Sequence, residues 1–210
     1  MKIIFFNGPP RSGKDTAANA MVRYMTVKDL AHVSPYKLSI ATPLKKATHE
    51  LYGITGKDHN YYEQQKDEPQ SKLLGLTPRE AYMSLAETYA KVLHDKSFFG
   101  KVFVTRLKEF DREVNVRATI NQELVIFISD CGFIDEIIPI IAKAGKANCL
   151  LIRVGRSGYD FSKDSRGYLN GDTLGVKHDT IVNSKLKVFR DEVTDKCSKW
   201  LKSKIDFGTI

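Results

Sequence analysis

Cysteine is scarce, with three among 210 residues, at positions 131, 149 and 197. An odd number, far apart and without C-x-x-C spacing, argues against a disulfide framework or a zinc site and fits a reducing cytoplasm. Long hydrophobic runs are missing. No apolar stretch approaches the roughly 20 residues that a membrane-spanning helix needs, so no membrane partner is expected. The opening "MKIIFFNG" is not expected to act as a secretory leader, because its apolar run is too short and glycine follows at once. The histidines show no metal-ligand spacing. Internal repeats, low-complexity tracts and clear linkers are all lacking, so residues 1–210 read as one domain, long enough to bury a sizeable core. Acidic residues are outnumbered, 25 against 33 basic ones, for a net charge of +8. That excess points to anionic partners: nucleotides, nucleic acid or phosphate-rich metabolites.

What the chain does have is alternation. Lys2 to Asn7 is an apolar run of buried-strand type, and a helix is expected from about Lys14 to Met25. "YKLSI" (Tyr36 to Ile40) predicts a second strand, and "PLKKATHELYG" a helix with Pro43 in its first turn and Gly53 past its end. Residues 54–76 are polar and carry no clear period, so they read as a mobile insertion. Thr77-Pro78-Arg79-Glu80 is a capping box that starts a helix running to about His94. "SFFGKVFVTRLKEF" predicts another, with Phe98, Val102 and Leu107 inward, and "REVNVRATINQ" a surface excursion. Leu124 to Ile128 form the clearest strand, ending in Ser129-Asp130. A helix over 134–144, a strand "NCLLIRV", a glycine- and charge-rich loop over 155–177, a short strand "DTIVN" and a final helix complete the chain. Strands apolar on both faces, alternating with helices, imply an α/β fold with a parallel sheet covered on both sides.

The most informative stretch is "FFNGPPRSGKDTAANAM". Gly8, Gly13 and Lys14 stand at the spacing G-x-x-x-x-G-K, after a strand and before a helix. In such a loop backbone amides close around phosphate oxygens, the helix N-terminus adds positive potential, and the lysine reaches the β and γ phosphates. This makes the fold of P-loop NTPase type. Asp15 stands where a serine or threonine usually follows the lysine, and Thr16 comes next. "GPPRSGKDT" is similar to the loop of adenylate-kinase-like enzymes, G-x-P-G-S-G-K-G-T, differing chiefly at Arg11 and Asp15. By that likeness Thr16 would offer its hydroxyl to the α-phosphate. Asp15 would lie near magnesium and face the metal or solvent.

The chain further resembles the deoxynucleoside monophosphate kinases of tailed bacteriophages. The likeness rests on "RSGKDT", "LSIATPLKKATHELYG", "LGLTPREAYMSLAETY", "VIFISDCGFIDE", "LIRVGRSGYDFSKDSRGYL" and "HDTIVNS", in that order over most of the chain. Two positions depart from the family pattern. Gly132 stands where an arginine is expected after Asp130, and "LAET", with Ala86 and Glu87, replaces L-G-T.

The resemblance implies a P-loop kinase that transfers the γ-phosphoryl group of ATP, with Mg²⁺, to a deoxynucleoside monophosphate. Gly8, Arg11, Ser12, Gly13, Lys14, Asp15, Thr16, Arg153 and Asn183 would bind ATP. Asp15, Thr16 and Asp130 would serve the metal; Asp130 alternatively caps the helix that follows it. Lys14, Asp130, Arg156 and Arg166 would act in transfer, the two arginines from a lid over 155–177 that also carries Lys163. Lys45 and Arg79 would hold the acceptor phosphate, Ser84 and Glu87 a base edge or ribose, and Tyr61 and Tyr62 could stack on a base. The setting implied is the cytoplasm of an infected bacterium, with small nucleotides as partners and a homodimer allowed for. Two other readings stay open: a kinase of another small acceptor, of dephospho-coenzyme A or phosphomevalonate type, and a nucleotide-driven nucleic-acid-binding protein. Dispersed lysines and the lack of an aromatic-basic motif count against the last.

Overall fold

The computed structural model describes residues 1–28, 32–55, 59–118, 122–162 and 164–205, with backbone alone at 59, 60, 90 and 91. Its strands are β1 (Lys2–Asn7), β2 (Val33–Leu38), β3 (Glu123–Ile128), β4 (Cys149–Gly155) and β5 (Lys177–Val182). They form one sheet in the order β2-β3-β1-β4-β5, and every neighbouring pair is parallel. The described helices are α1 (Lys14–Lys28), α2 (Thr42–Leu51), α3 (His59–Gln64), α4 (Pro78–Leu85), α5 (Lys91–Leu93), α6 (Phe98–Arg117), α7 (Ile134–Ala144), α8 (Gly171–Leu174) and α9 (Leu186–Lys202). Among the described residues no helix is long and apolar enough to cross a membrane.

Successive side chains of a strand point to opposite faces, and both faces of this sheet are buried. Ile3, Phe5, Leu124, Ile126, Ile128 and Leu151 form one core with α6 and α7. Ile4, Phe6, Val125, Phe127, Ile152 and Val154 form the other with α1 and α9. The helices answer with stripes at helical spacing. Phe189, Val193, Cys197 and Leu201 are the buried face of α9, and Phe99, Phe103 and Leu107 that of α6. Leu107 was expected to face inward; Phe98 and Val102 are only half-buried, because the stripe is set one residue further along.

Several boundaries differ from expectation for identifiable reasons. The second strand spans 33–38 rather than 36–40, since an edge strand tolerates Pro35, which lies opposite Val125. Residues 111–117 continue α6, because Phe110 and Val114 extend its apolar stripe onto the core; residues 119–121 lie outside the described ones. Within 54–76 the chain forms α3 and a 3₁₀ turn at Ser71–Leu73. Ile54, Tyr62 and Leu73 make a third small core with Ala81, on the side of α2 and α4. The capping box at Thr77 and Glu80 is formed, and its helix continues to Leu93 through a π turn at Ala86–Ala90, where the "LAET" departure falls. The 155–177 loop is only partly loop. Leu169, Leu174 and Val176 are buried in the first core around α8, leaving 156–168 as the surface excursion; Lys163 within it lies outside the described residues.

Candidate functional site

β1 ends in Asn7, and Ser39, Ser129, Arg156 and Asn183 directly follow the other strands on the same edge of the sheet. After β1 the chain turns toward β2, whereas after β4 it turns toward β5. The crevice where neighbouring strands diverge in this way is the usual ligand position of an open parallel sheet. The glycine loop lies there. A Cβ on Gly8 would stand 2.2 Å from the Val154 carbonyl oxygen of β4, so only glycine permits this approach. Arg11 (φ 63°) and Gly13 (φ 108°) both adopt left-handed backbone, which folds the loop back over itself.

The loop's carbonyls are held both from within the loop and from outside it. The Pro9 oxygen accepts from Lys14 Nζ at 2.6 Å and from the Ser12 amide at 3.2 Å. Asn183 Nδ2 donates to the Ser12 oxygen at 2.9 Å, and Arg156 Nη1 to the Arg11 oxygen at 3.1 Å. The Gly13 oxygen takes the first helical bond, from Ala17. Among the described residues, the amides of Arg11, Gly13, Lys14, Asp15 and Thr16 donate to no protein acceptor. These amides, at the start of a 15-residue helix, are left available to donate to anionic oxygens. Lys14 is only 9% exposed, and its pKa falls from 10.5 to about 8; burial is the main cause, followed by the nearby charge of Arg166. The charges of Asp15 and Asp164 act in the opposite sense without cancelling that shift.

Asp15 points outward, its side chain 74% exposed. Its Oδ1 accepts from Lys37 Nζ at 2.6 Å and from Ser129 Oγ at 2.8 Å. Burial alone would raise its pKa; the bonds and charge of Lys37, then Ser129 and Lys14, outweigh that and lower it. Asp130 is engaged differently. Its Oδ2 accepts from Ser39 Oγ at 2.6 Å and the Ala41 amide at 2.9 Å, and its Oδ1 from the Ile40 amide at 3.1 Å. It thus holds the entrance to α2. The alternative role, capping the helix after it, is not what it does: the N-cap of α7 is Phe133, with no side-chain cap. No cluster of three or more His, Cys, Asp or Glu suited to a metal exists among the described residues. Magnesium on a nucleotide needs no such cage, because phosphates and water supply most of its ligands. Were magnesium bound with a nucleotide here, the Thr16 hydroxyl and the outer oxygen of Asp15 would be the groups offered to it, since both oxygens of Asp130 are engaged by Ser39, Ile40 and Ala41.

Arginines approach from separate segments. Arg156 follows β4, stacks 4.7 Å over the Tyr159 ring and reaches back to the glycine loop. Arg166 forms a two-pronged pair with Asp164, with Nε to Oδ1 at 2.7 Å and Nη2 to Oδ2. The space for its stem is provided by Gly132. A Cβ there would lie 2.2 Å from Arg166 Cδ, 2.7 Å from Cγ and 3.1 Å from Cβ. The position where the resemblance implies an arginine is thus empty of side chain, and Arg166 fills the space from another segment. Arg153 is committed through Nε to the Leu169 carbonyl at 2.7 Å, anchoring the end of the excursion.

Of the residues expected to hold an acceptor, Arg79 Nε donates to Asp67 Oδ1 at 2.7 Å, and Lys45 pairs with Glu63 at 2.6 Å while lying 5.9 Å over the Tyr82 ring. Ser84 and Glu87 are exposed, on α4 and the π turn after it. Tyr61 is exposed too, but Tyr62 is buried against His49, so it belongs to the third core and cannot stack on a base without unpacking it.

Sequence reasoning missed Asn7, Lys37, Asp67, Ser129 and Asp164. Asn7 is buried and ties β1 to two other segments: Nδ2 donates to the Cys131 and Gly167 carbonyls, and Oδ1 accepts from the Leu169 amide. The available signal was position, because Asn7, Lys37 and Ser129 all sit at or just past strand ends on the ligand edge. Fold and site together define a parallel α/β protein whose glycine loop follows β1 and is held by Asn183 and Arg156. Comparison with models of known protein families gives no match, and comparison with curated proteins gives no significant match.

Proposed function

We propose that this protein is an ATP-dependent phosphotransferase of the P-loop kinase type, acting on a deoxynucleoside monophosphate. The observation that carries the reading is the loop at 8–14. Its carbonyls are tied back by Lys14, Asn183 and Arg156, its amides are left unpaired, and the lysine that closes it is buried, with its pKa lowered by that burial. Such a cradle suits the β and γ phosphates of ATP. The acceptor is drawn from the motif resemblance, supported by Arg79, whose partner Asp67 also meets Arg11 of the loop, and by Lys45, each with an acidic partner that a phosphate could replace.

Phosphoryl transfer needs positioning and charge neutralisation more than covalent help. An oxygen of the acceptor's phosphate attacks the γ-phosphorus. The bond from that phosphorus to the β–γ bridging oxygen breaks, and ADP leaves with the electron pair. Lys14 and the first-turn amides of α1 hold the donor; Arg156 and Arg166 offset charge on the moving group. When bound, magnesium supplies further neutralisation of the phosphates, next to Thr16 and Asp15. The acceptor phosphate is already anionic, so no strong general base is required. ADP release, followed with the four deoxynucleoside monophosphates, their ribo counterparts, dephospho-coenzyme A and phosphomevalonate, tests the assignment. Turnover with a deoxynucleotide is expected, exceeding its ribo counterpart by tens to hundreds of fold. Turnover only with a non-nucleotide acceptor would overturn the substrate assignment.

A further inference from the structure

Asp67 stands where the acceptor-side segment meets the glycine loop. Its Oδ1 receives Arg79 Nε at 2.7 Å, and its Oδ2 lies 3.9 Å from Arg11 Nη2. The two guanidinium groups belong to separate parts of the fold, α4 and the crest of the loop, and converge on one carboxylate. Local backbone fixes the arrangement, since the Arg79 amide donates to the Lys66 carbonyl at 3.1 Å. Arg11 is held in left-handed backbone, an unusual conformation for a residue with a side chain. Charge on Arg79 also reaches Asp164, so the Arg11–Asp67–Arg79 group adjoins the Arg166–Asp164 pair. The two carboxylates differ in hold. Asp164 is 11% exposed and gripped at both oxygens by Arg166, whereas Asp67 is 45% exposed and shared between two arginines.

We propose that Asp67 is a built-in competitor anion: in the free protein it occupies the subsite where Arg11 and Arg79 receive the acceptor's phosphate, and that phosphate must displace it. The inference rests on the phosphotransferase reading. A phosphomonoester carries up to two charges and three acceptor oxygens against one charge and two oxygens for the carboxylate, so it wins both guanidinium groups. An exposed carboxylate pair is weak enough to exchange. While Asp67 holds Arg79, the acceptor side stays neutralised and ATP alone does not recruit it. Arg79 is released only when a phosphate-bearing second substrate arrives, which limits loss of ATP to water.

The test is calorimetric titration of inorganic phosphate into protein saturated with magnesium and a non-hydrolysable ATP analogue, comparing wild type, Asp67→Asn and Asp67→Ser. Both variants are expected to bind phosphate about two- to fivefold more tightly, the range set by an exposed ion pair. Hydrolysis of ATP without acceptor should rise by a similar factor, and adding Arg79→Gln should abolish the gain. Unchanged or weaker phosphate binding in both variants, with the analogue still bound normally, would overturn the proposal and make Asp67 a residue that merely orients Arg79. Failure of the analogue to bind wild-type protein would instead remove the phosphotransferase reading on which the proposal stands.

Discussion

Raising the pH should weaken nucleotide binding before it affects the rest of the protein. Lys14 in the free protein titrates near 8, because burial and the Arg166 charge disfavour its ammonium. A bound triphosphate stabilises that ammonium and returns its pKa to about 10 or above. Binding then carries a proton with it: about half a proton per nucleotide at pH 8 and about nine-tenths at pH 9. Affinity should fall roughly tenfold between pH 7 and 9, and about five- to tenfold more by pH 10. A lysine at its ordinary value would leave affinity flat until above pH 9.5 or so. Calorimetry of a magnesium-bound, non-hydrolysable ATP analogue, in buffers of different ionisation enthalpy, measures affinity and proton uptake together. In Lys14→Ala the uptake should vanish. The same shift acts on stability with a definite sign. The folded value lies below the unfolded one, so between about pH 8 and 10.5 the unfolded chain binds the extra proton, and the free protein gains stability from this residue as pH rises. Affinity that is flat from pH 7 to 9.5, with no proton uptake, would refute the reasoning.

Other outcomes follow from single contacts. Gly132→Ala places a methyl group inside the Arg166 stem; kcat should fall on the order of tenfold or more while KM for ATP changes little, and the pH limb set by Lys14 should move upward as Arg166 retreats. Steady-state kinetics across pH would show both effects. Asp130→Asn leaves one of the Ser39, Ile40 and Ala41 donors without its acceptor, so urea unfolding of the ligand-free protein should show a loss of roughly 1–2 kcal/mol; unchanged stability would mean that Asp130 serves a ligand alone. Lys14→Met should preserve or raise the melting temperature at pH 7 while abolishing activity, because the variant removes a buried, unpaired charge.

Much of the fold was legible because its strands are extreme. Leu124 to Ile128 and the run after Met1 are apolar on both faces, which only a doubly covered sheet explains. The glycine loop was legible because its chemistry is local: Gly8, Gly13 and Lys14 act within seven residues of one another. What stayed hidden is non-local. Nothing near Gly132 in sequence announces Arg166, and nothing near Arg79 marks Asp67 as its partner rather than a solvated charge. The segment 54–76 read as featureless because its small core draws Tyr62 and Leu73 from between polar residues and completes itself with Ala81 of α4. Asp130 was expected at the metal, or else as a cap for its own helix, but the parallel pairing of β2 with β3 brings the start of α2 beside it and its oxygens hold that entrance.

The central claim is phosphoryl transfer through the glycine loop. Its most direct measurement uses ATP labelled at the γ position, with each deoxynucleoside monophosphate in turn, and separates the products from wild type and Lys14→Ala. The account predicts labelled deoxynucleoside diphosphate from wild type and at least about a hundredfold less from Lys14→Ala, a loss of about 3 kcal/mol of transition-state stabilisation. No labelled diphosphate from any deoxynucleotide, or equal yields from a folded Lys14→Ala protein, would contradict it.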